Sequence, residues 1–216
     1  VAIPMILIFE QPDLGSSMMV FSLFIALLYL TRIKLRYIFI FLMIILLPLP
    51  LLWQILRDYQ KERLLVFLNP NIDPLGAGYT MIQSKIAIGS GGLWGKGWLT
   101  GTQSQLHFLP ESHTDFIFAT FAEEWGLFGS AVLLLLYYIL IHQGILIAQR
   151  THDNFGRLLA FGISLMLGIQ IFINIAMNLG LAPVVGLPLP LMIYGGSSVL
   201  VTFISLGILA NIDKTR

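Results

Sequence analysis

Long blocks of apolar residues, separated by short polar segments, dominate the sequence and predict membrane-spanning helices. Crossing a bilayer core takes about 20 mostly apolar residues in a helix. Full spans are predicted at residues 17–31, 37–56, 127–148, 158–179 and 197–212. The apolar run that opens the chain is too short to cross and is predicted to be part of a further span. The predicted fold class is therefore an all-α polytopic membrane protein with five full transmembrane helices and part of a sixth.

The composition supports this class of protein. Hydrophobic residues make up 57% of the 216 positions and charged residues only 11%, whereas a soluble domain has about 25% charged residues. The chain has no cluster of Lys and Arg that would indicate nucleic-acid binding. It also has no Cys, which excludes disulfides and Cys-ligated metals. The histidines lack metal-ligand spacing, so no metal site is predicted.

The connections between the predicted spans give an orientation. Seven of the twelve basic residues lie in the short segments 32–36, 150–157 and 214–216, which five spans place on one side of the membrane. The positive-inside rule makes that side cytoplasmic. Residues 57–116 then form a large extracytoplasmic loop. Trp94 and Trp98 within it indicate a segment that is folded against the bundle or lies at the membrane interface.

Ionisable residues concentrate where this loop re-enters the membrane, in the stretch LPESHTDFIFATFAEEWG. Asp115 precedes an apolar run, so it is either a helix-start acid behind a Thr114 N-cap or a half-desolvated general base. Glu123 and Glu124 follow on the same predicted helix. They either face a cavity or a partner, or stay wet in a turn before the true span.

Two further patterns leave alternatives open. Five glycines between Gly89 and Gly97 form a loop that either approaches a phosphate closely, with Lys96 as a point charge, or is simply flexible. Gln170, Asn174 and Asn178 recur every fourth residue and share one helix face. Such a polar stripe joins helices more often than it binds a substrate.

The segments QPDLGSS, DPLGAGYTMIQSKIAIGSGGLWGKGWLTGTQSQLHFLPESHTDFIFATFAEEWGLFG and PVVGLPLPLMIYGGSS together resemble the SEDS family (shape, elongation, division and sporulation). The long central segment is similar to the elongation-type members. The resemblance covers essentially the whole chain, as one partial SEDS membrane domain (residues 1–216) that contains the loop 57–116. Because such proteins have about ten spans, the chain is expected to be the C-terminal part of a longer protein.

The resemblance implies a peptidoglycan glycosyltransferase of the bacterial inner membrane that polymerises lipid II into glycan strands. It implies a class B penicillin-binding protein as partner, besides membrane lipid, and a divalent cation (Mg²⁺ or Mn²⁺) as a possible cofactor. The HTDF motif implies that Asp115 is the catalytic base, and Lys85 and Lys96 would neutralise the leaving pyrophosphate. The complete set of predicted substrate-binding residues is Lys85, Lys96, Gln103, Gln105, Glu111, His113 and Glu123.

Two other functions remain open on the sequence. A lipid II transporter (flippase) would use the polar stripe and the broken outer loop to line a path across the membrane. A non-catalytic fragment of a split or decayed gene would neither transport lipid II nor polymerise it. A transporter needs polar groups through the whole membrane depth, whereas a polymerase needs them at one face. The ionisable residues crowd at the outer face, which favours polymerisation.

Overall fold

The structure is a computed structural model, which describes residues 8, 14–31, 33–34, 36–37, 39–40, 43, 58–73, 76–106 and 108–215. Regular structure in these residues is helical throughout. The helices are α1 (Leu14–Leu30), α2 (Asp58–Leu68), α3 (Ala77–Gly91), α4 (Thr102–Gln105), α5 (Ile117–Arg150), α6 (Asn154–Asn178) and α7 (Gly196–Lys214), with a 3₁₀ turn at Pro70–Ile72.

Helices α5, α6 and α7 are long and apolar enough to cross a membrane, and α1 is a shorter apolar helix. They coincide with four of the five predicted spans. The remaining span, at residues 37–56, falls mostly outside the described residues. The predicted class, an all-α polytopic membrane fold, is confirmed.

The start of α5 lacks the side-chain cap that was considered for it. The helix begins at Ile117, ahead of the expected span, with Phe116 at its cap position and no side-chain cap. The alternative in which Thr114 is the N-cap is therefore wrong. Its hydroxyl instead donates to the Glu111 carboxylate at 2.8 Å, so the first turn of the helix must find its hydrogen-bond partners elsewhere.

The bundle is held by apolar packing between its three long helices. One buried cluster joins α5, α6 and α7 at the ends that are predicted to face the cytoplasm. A second joins α5 and α6 to the segment that follows α6. The first cluster consists of Ala148, Ala160, Ile163, Leu167, Leu209 and Ile212. The second contains Phe118, Tyr137, Ile171, Ile175 and Leu189.

The segment between α6 and α7 folds back into the bundle instead of leaving it. Leu187 and Leu189 are almost completely buried. The Tyr137 hydroxyl of α5 donates to the Pro190 carbonyl at 2.7 Å. A non-helical backbone is tolerated within a membrane protein only where protein groups or a cavity surround it, and here buried side chains surround it.

The region predicted to be a large loop, residues 57–116, contains α2, α3, α4 and the 3₁₀ turn. It is a folded segment packed against the bundle. Ala87 of α3 shares a buried cluster with Phe116 and Ala119 at the start of α5, and the Ser84 hydroxyl donates to the carbonyl of Asn178 at 2.8 Å. Its extracytoplasmic location stays a prediction.

Candidate functional site

Asp115 lies in a tight turn immediately before α5. Glu111 opens this turn with a left-handed backbone (φ 51°). Its carbonyl accepts hydrogen bonds from the N–H groups of Thr114 at 3.1 Å and Phe116 at 3.2 Å. The turn therefore fixes the backbone on both sides of Asp115, and it holds the Glu111 carboxylate through Thr114.

Two asparagines of α6 hold the backbone of Asp115 from the bundle side. The carboxamides of Asn174 and Asn178 donate to the Asp115 carbonyl at 3.0 and 3.1 Å. Both side chains are 0% exposed. The polar stripe thus joins α6 to the turn before α5, in agreement with a structural role for these two residues.

The Asp115 side chain is half-buried, and its surroundings shift its pKa. Burial raises the pKa of this carboxyl above its ordinary value, the charge of Glu111 raises it further, and the guanidinium of Arg63 lowers it. Gly186, in the segment after α6, has φ +71°, and a Cβ there would lie 3.4 Å from the Asp115 carboxylate. The carboxyl is thus partly shielded from water, as suits a general base.

Arg63 was not among the residues predicted to form a site. It lies on α2, within the region predicted to be a loop, and helical structure in that region brings it near Asp115. The local signal was the stretch DYQKER, whose charges alone are typical of a solvated helix face. No local pattern pointed from this helix to Asp115.

A second polar group surrounds Glu123, whose side chain is 0% exposed. Its carboxylate accepts from Lys96 Nζ at 2.7 Å, from Thr102 Oγ1 at 3.1 Å and from the Gln103 N–H at 3.1 Å. Lys96 Nζ also donates to Thr102 Oγ1 at 2.7 Å. Of the two alternatives for Glu123, the structure supports the one in which it faces a partner, and it excludes a wet side chain.

The glycine-rich loop forms hydrogen bonds with the backbone of α5 where this helix is interrupted. Gly126 has non-helical angles (φ 66°, ψ −164°), which interrupt the helical hydrogen bonds around it. The N–H groups of Lys96 and Gly97 donate to the carbonyls of Glu123 and Glu124, both at 3.0 Å. In return, the carbonyls of Gly92 and Leu93 accept from the N–H groups that follow the break.

This arrangement differs from both sequence interpretations of the loop. The loop is neither a free phosphate cradle nor a segment without defined contacts, because its backbone is hydrogen-bonded to α5 across the break. Gly95 packs directly against the Glu124 carbonyl, where a Cβ would clash. A turn before the span belonged to the alternative in which Glu123 and Glu124 stay wet. The break at Gly126 is present, with its hydrogen-bond partners supplied by the loop, but Glu123 is buried.

The predicted substrate-binding residues divide between these places. Glu111 and His113 share the turn with Asp115, and the His113 carbonyl accepts from the Tyr194 N–H at 3.2 Å. Lys96 and Gln103 belong to the Glu123 group, and the side-chain oxygen of Gln103 is buried without a hydrogen-bond partner. Exposed positions are taken by Gln105 on α4 and Lys85 on α3. The Lys85 side chain lies over Gly180, directly after α6.

The spanning helices and the half-buried carboxyl at their margin define a polytopic helical membrane protein with a polar site at one end of its bundle. The family model of FtsW, RodA and SpoVE, described as "Cell cycle protein", matches residues 1–216. The chain belongs to this family, and the resemblance found in the sequence is confirmed.

Two named peptidoglycan glycosyltransferases are similar to the chain. The peptidoglycan glycosyltransferase MrdB of Escherichia coli K12 is 51% identical over 99% of the chain. The peptidoglycan glycosyltransferase RodA of Treponema pallidum is 42% identical over 76% of the chain and 38% of its own length. The chain spans 58% of the length of MrdB.

A solved structure is similar in fold as well as in sequence. It is described as "Structural coordination of polymerization and crosslinking by a peptidoglycan synthase complex". The match has a TM-score of 0.78 and 32% sequence identity, and it covers 97% of this chain and 58% of the other. The arrangement of helices described above is therefore shared with a chain of that complex.

Proposed function

We propose that this chain carries the catalytic base of a membrane-bound peptidoglycan glycosyltransferase. The reaction is the polymerisation of lipid II into glycan strands during cell elongation and rod-shape maintenance. The observation that carries the proposal is the position of Asp115. Its backbone is fixed by two buried asparagines, while its carboxyl is half-buried at the end of the bundle. The relatives MrdB and RodA are named peptidoglycan glycosyltransferases, which supports glycosyl transfer as the reaction class.

In the proposed step, an Asp115 carboxylate oxygen accepts the proton of the 4-hydroxyl group of the acceptor sugar. The 4-oxygen of the acceptor sugar, freed of its proton, attacks C1 of the donor sugar, so a C4–O–C1 glycosidic bond forms. The bond from C1 to the undecaprenyl pyrophosphate breaks, and the pyrophosphate leaves with its electron pair and with inversion at C1. A carboxyl whose pKa is raised binds the transferred proton more strongly than an ordinary carboxylate does.

The substrate contacts follow from the same geometry. Glu111 and His113 share the turn of Asp115 and are exposed, so we propose that they contact the sugars. Exposed Lys85 is the candidate for the leaving pyrophosphate. Lys96 is already paired with Glu123, and its role toward the pyrophosphate stays a prediction, as do those of Gln103 and Gln105.

A divalent cation does not have a ready-made site in this part of the protein. Among the described residues, no group of three or more His, Asp or Glu side chains could hold a metal ion. Mg²⁺ commonly binds through one or two carboxylates together with substrate phosphates. A cation would therefore be held mainly by the pyrophosphate, and none of the proposed steps relies on it.

We further propose that the protein resides in the bacterial inner membrane and works with a class B penicillin-binding protein. The likeness to a chain of a complex described as coordinating polymerization and crosslinking supports a cross-linking partner. The three spanning helices support a multi-pass location.

The transporter alternative loses its main support. It relied on the polar stripe of α6 lining a path, but Asn174 and Asn178 are buried and bonded to backbone groups. The third alternative, a non-catalytic fragment, concerns this chain by itself. The activity is therefore to be measured in the full-length protein.

The test is Asp115→Asn in the full-length protein with its partner, purified and supplied with lipid II. Asn preserves the size of the side chain but cannot accept a proton, so polymerisation should fall by roughly 10²–10⁴-fold. Glu124→Gln is the matched control, because it removes a nearby carboxylate outside the turn. Near-normal polymer from Asp115→Asn, in protein that is folded and partner-bound, would overturn the proposed function.

A further inference from the structure

The carboxamide of Asn178 is inserted into the first turn of α5. In a continued helix, the Asp115 carbonyl would accept directly from the N–H of Ala119, four residues later. Instead, Asn178 Nδ2 donates to the Asp115 carbonyl at 3.1 Å. Asn178 Oδ1 accepts from the Ala119 N–H at 3.1 Å, and this N–H also donates to the Phe116 carbonyl at 3.0 Å. One side-chain amide thus bridges the two backbone groups and keeps Asp115 outside the helix.

Asn174, one helical turn earlier, connects the same carbonyl to the segment after α6. Its Nδ2 donates to the carbonyls of Asp115 at 3.0 Å and Leu187 at 2.8 Å. Its Oδ1 accepts from Asn178 Nδ2 at 3.2 Å. Leu187 directly follows Gly186, which lies against the Asp115 carboxyl. The position of that segment over the carboxyl is therefore tied to the position of Asp115 itself.

The contacts define which way both amides point. Reversing Asn178 would place its NH₂ group against the Ala119 N–H, and reversing Asn174 would place an oxygen against two carbonyls. Both arrangements leave buried polar groups unpaired, which is unfavourable. Since both side chains are 0% exposed, water cannot replace the lost partners, and the pair has a single satisfied arrangement.

We infer that Asn174 and Asn178 are positioning residues for the proposed reaction, acting by holding Asp115 and the segment over it in one geometry. This inference rests on the proposed function of Asp115. A misplacement of about 1 Å in a reacting group can cost on the order of 100-fold in rate. The inference therefore predicts a loss of turnover that exceeds any loss of folded protein.

The test measures polymerisation of lipid II by the full-length protein carrying Asn178→Ala, Asn178→Ser or Asn174→Ser. All rates are expressed per molecule of monodisperse protein. We expect kcat to fall by about 10–100-fold, with KM for lipid II within about twofold. Gln170→Ala is the matched control, because Gln170 lies on the same stripe and makes no hydrogen bond to the turn among the described residues. It should leave both constants unchanged.

The pH dependence separates positioning from a general loss of stability. Loosening the turn should hydrate Asp115. Burial and Glu111 raise the pKa of this carboxyl, and Arg63 lowers it. The acid limb of kcat should then move to lower pH in the Asn178 variants. Rates within twofold of the parent with an unmoved acid limb would overturn the inference. Asp115→Asn, run in parallel, tests the proposed function separately. Normal activity in that variant would show that Asp115 is not the base, whatever Asn174 and Asn178 do.

Discussion

The ion pair between Lys96 and Glu123 gives a quantitative prediction about how the glycine-rich loop is held. The Glu123 side chain is 0% exposed and that of Lys96 is 28% exposed. Replacing Lys96 by Met removes the 2.7 Å bond from Nζ and leaves a buried carboxylate without its counter-charge. Breaking a fully buried pair from one side costs about 3–5 kcal/mol.

The partial exposure of Lys96 reduces this figure, and the carboxylate retains its bonds from Thr102 and the Gln103 N–H. We therefore expect Lys96→Met to lower the free energy of unfolding by about 2–3 kcal/mol. Glu123→Gln should cost less, because an amide oxygen can still accept from Lys96. The double variant should be less destabilised than the sum of the single variants by about 1–2 kcal/mol.

The assay is reversible unfolding of the full-length protein in mild detergent by titration with a denaturing detergent, for the parent, both single variants and the double variant. The same preparations give the apparent affinity for lipid II, which reports separately on a contact between Lys96 and pyrophosphate. If the destabilisations of the two single variants add up to that of the double variant within about 0.5 kcal/mol, the ion pair does not hold the loop. A pair that holds the loop must show coupling.

Two further predictions concern topology and the break in α5. In intact spheroplasts, a single Cys in place of exposed Gln105 should react with an impermeant reagent, and a single Cys in place of Lys34 should not. The opposite pattern would show that the predicted orientation is reversed. Gly95→Ala should destabilise the protein by several kcal/mol, since its φ is +79° and its Cβ would clash with the Glu124 carbonyl. Gly89→Ala, with open space around it, should be neutral or stabilising in thermal unfolding.

The features that the sequence could predict are those that depend on neighbouring residues. The length of the apolar blocks decides that α5, α6 and α7 cross the membrane, and the turn before α5 is visible as a cluster of polar residues. The four-residue spacing of Asn174 and Asn178 shows that they share a face. Each of these signals lies within one stretch of chain.

The features that could not be predicted depend on contacts between distant parts of the chain. Thr114 is a reasonable cap by local rules, yet the side chain that accepts from the Ala119 N–H belongs to Asn178, 59 residues away. The glycine-rich loop resembles a phosphate loop until its N–H groups are seen bonded across the break at Gly126. Arg63 lies too far from Asp115 in sequence for any spacing rule to connect them.

If Asp115 acts as the base, its protonation state must control kcat, and the pH dependence of kcat measures this. The active carboxylate is lost as pH falls through its pKa, so activity should show an acid limb. Glu111 raises that pKa and Arg63 lowers it. Glu111→Gln should therefore move the limb to lower pH, and Arg63→Gln should move it to higher pH. A limb that stays in place in both variants, or moves in the same direction in both, would contradict the account.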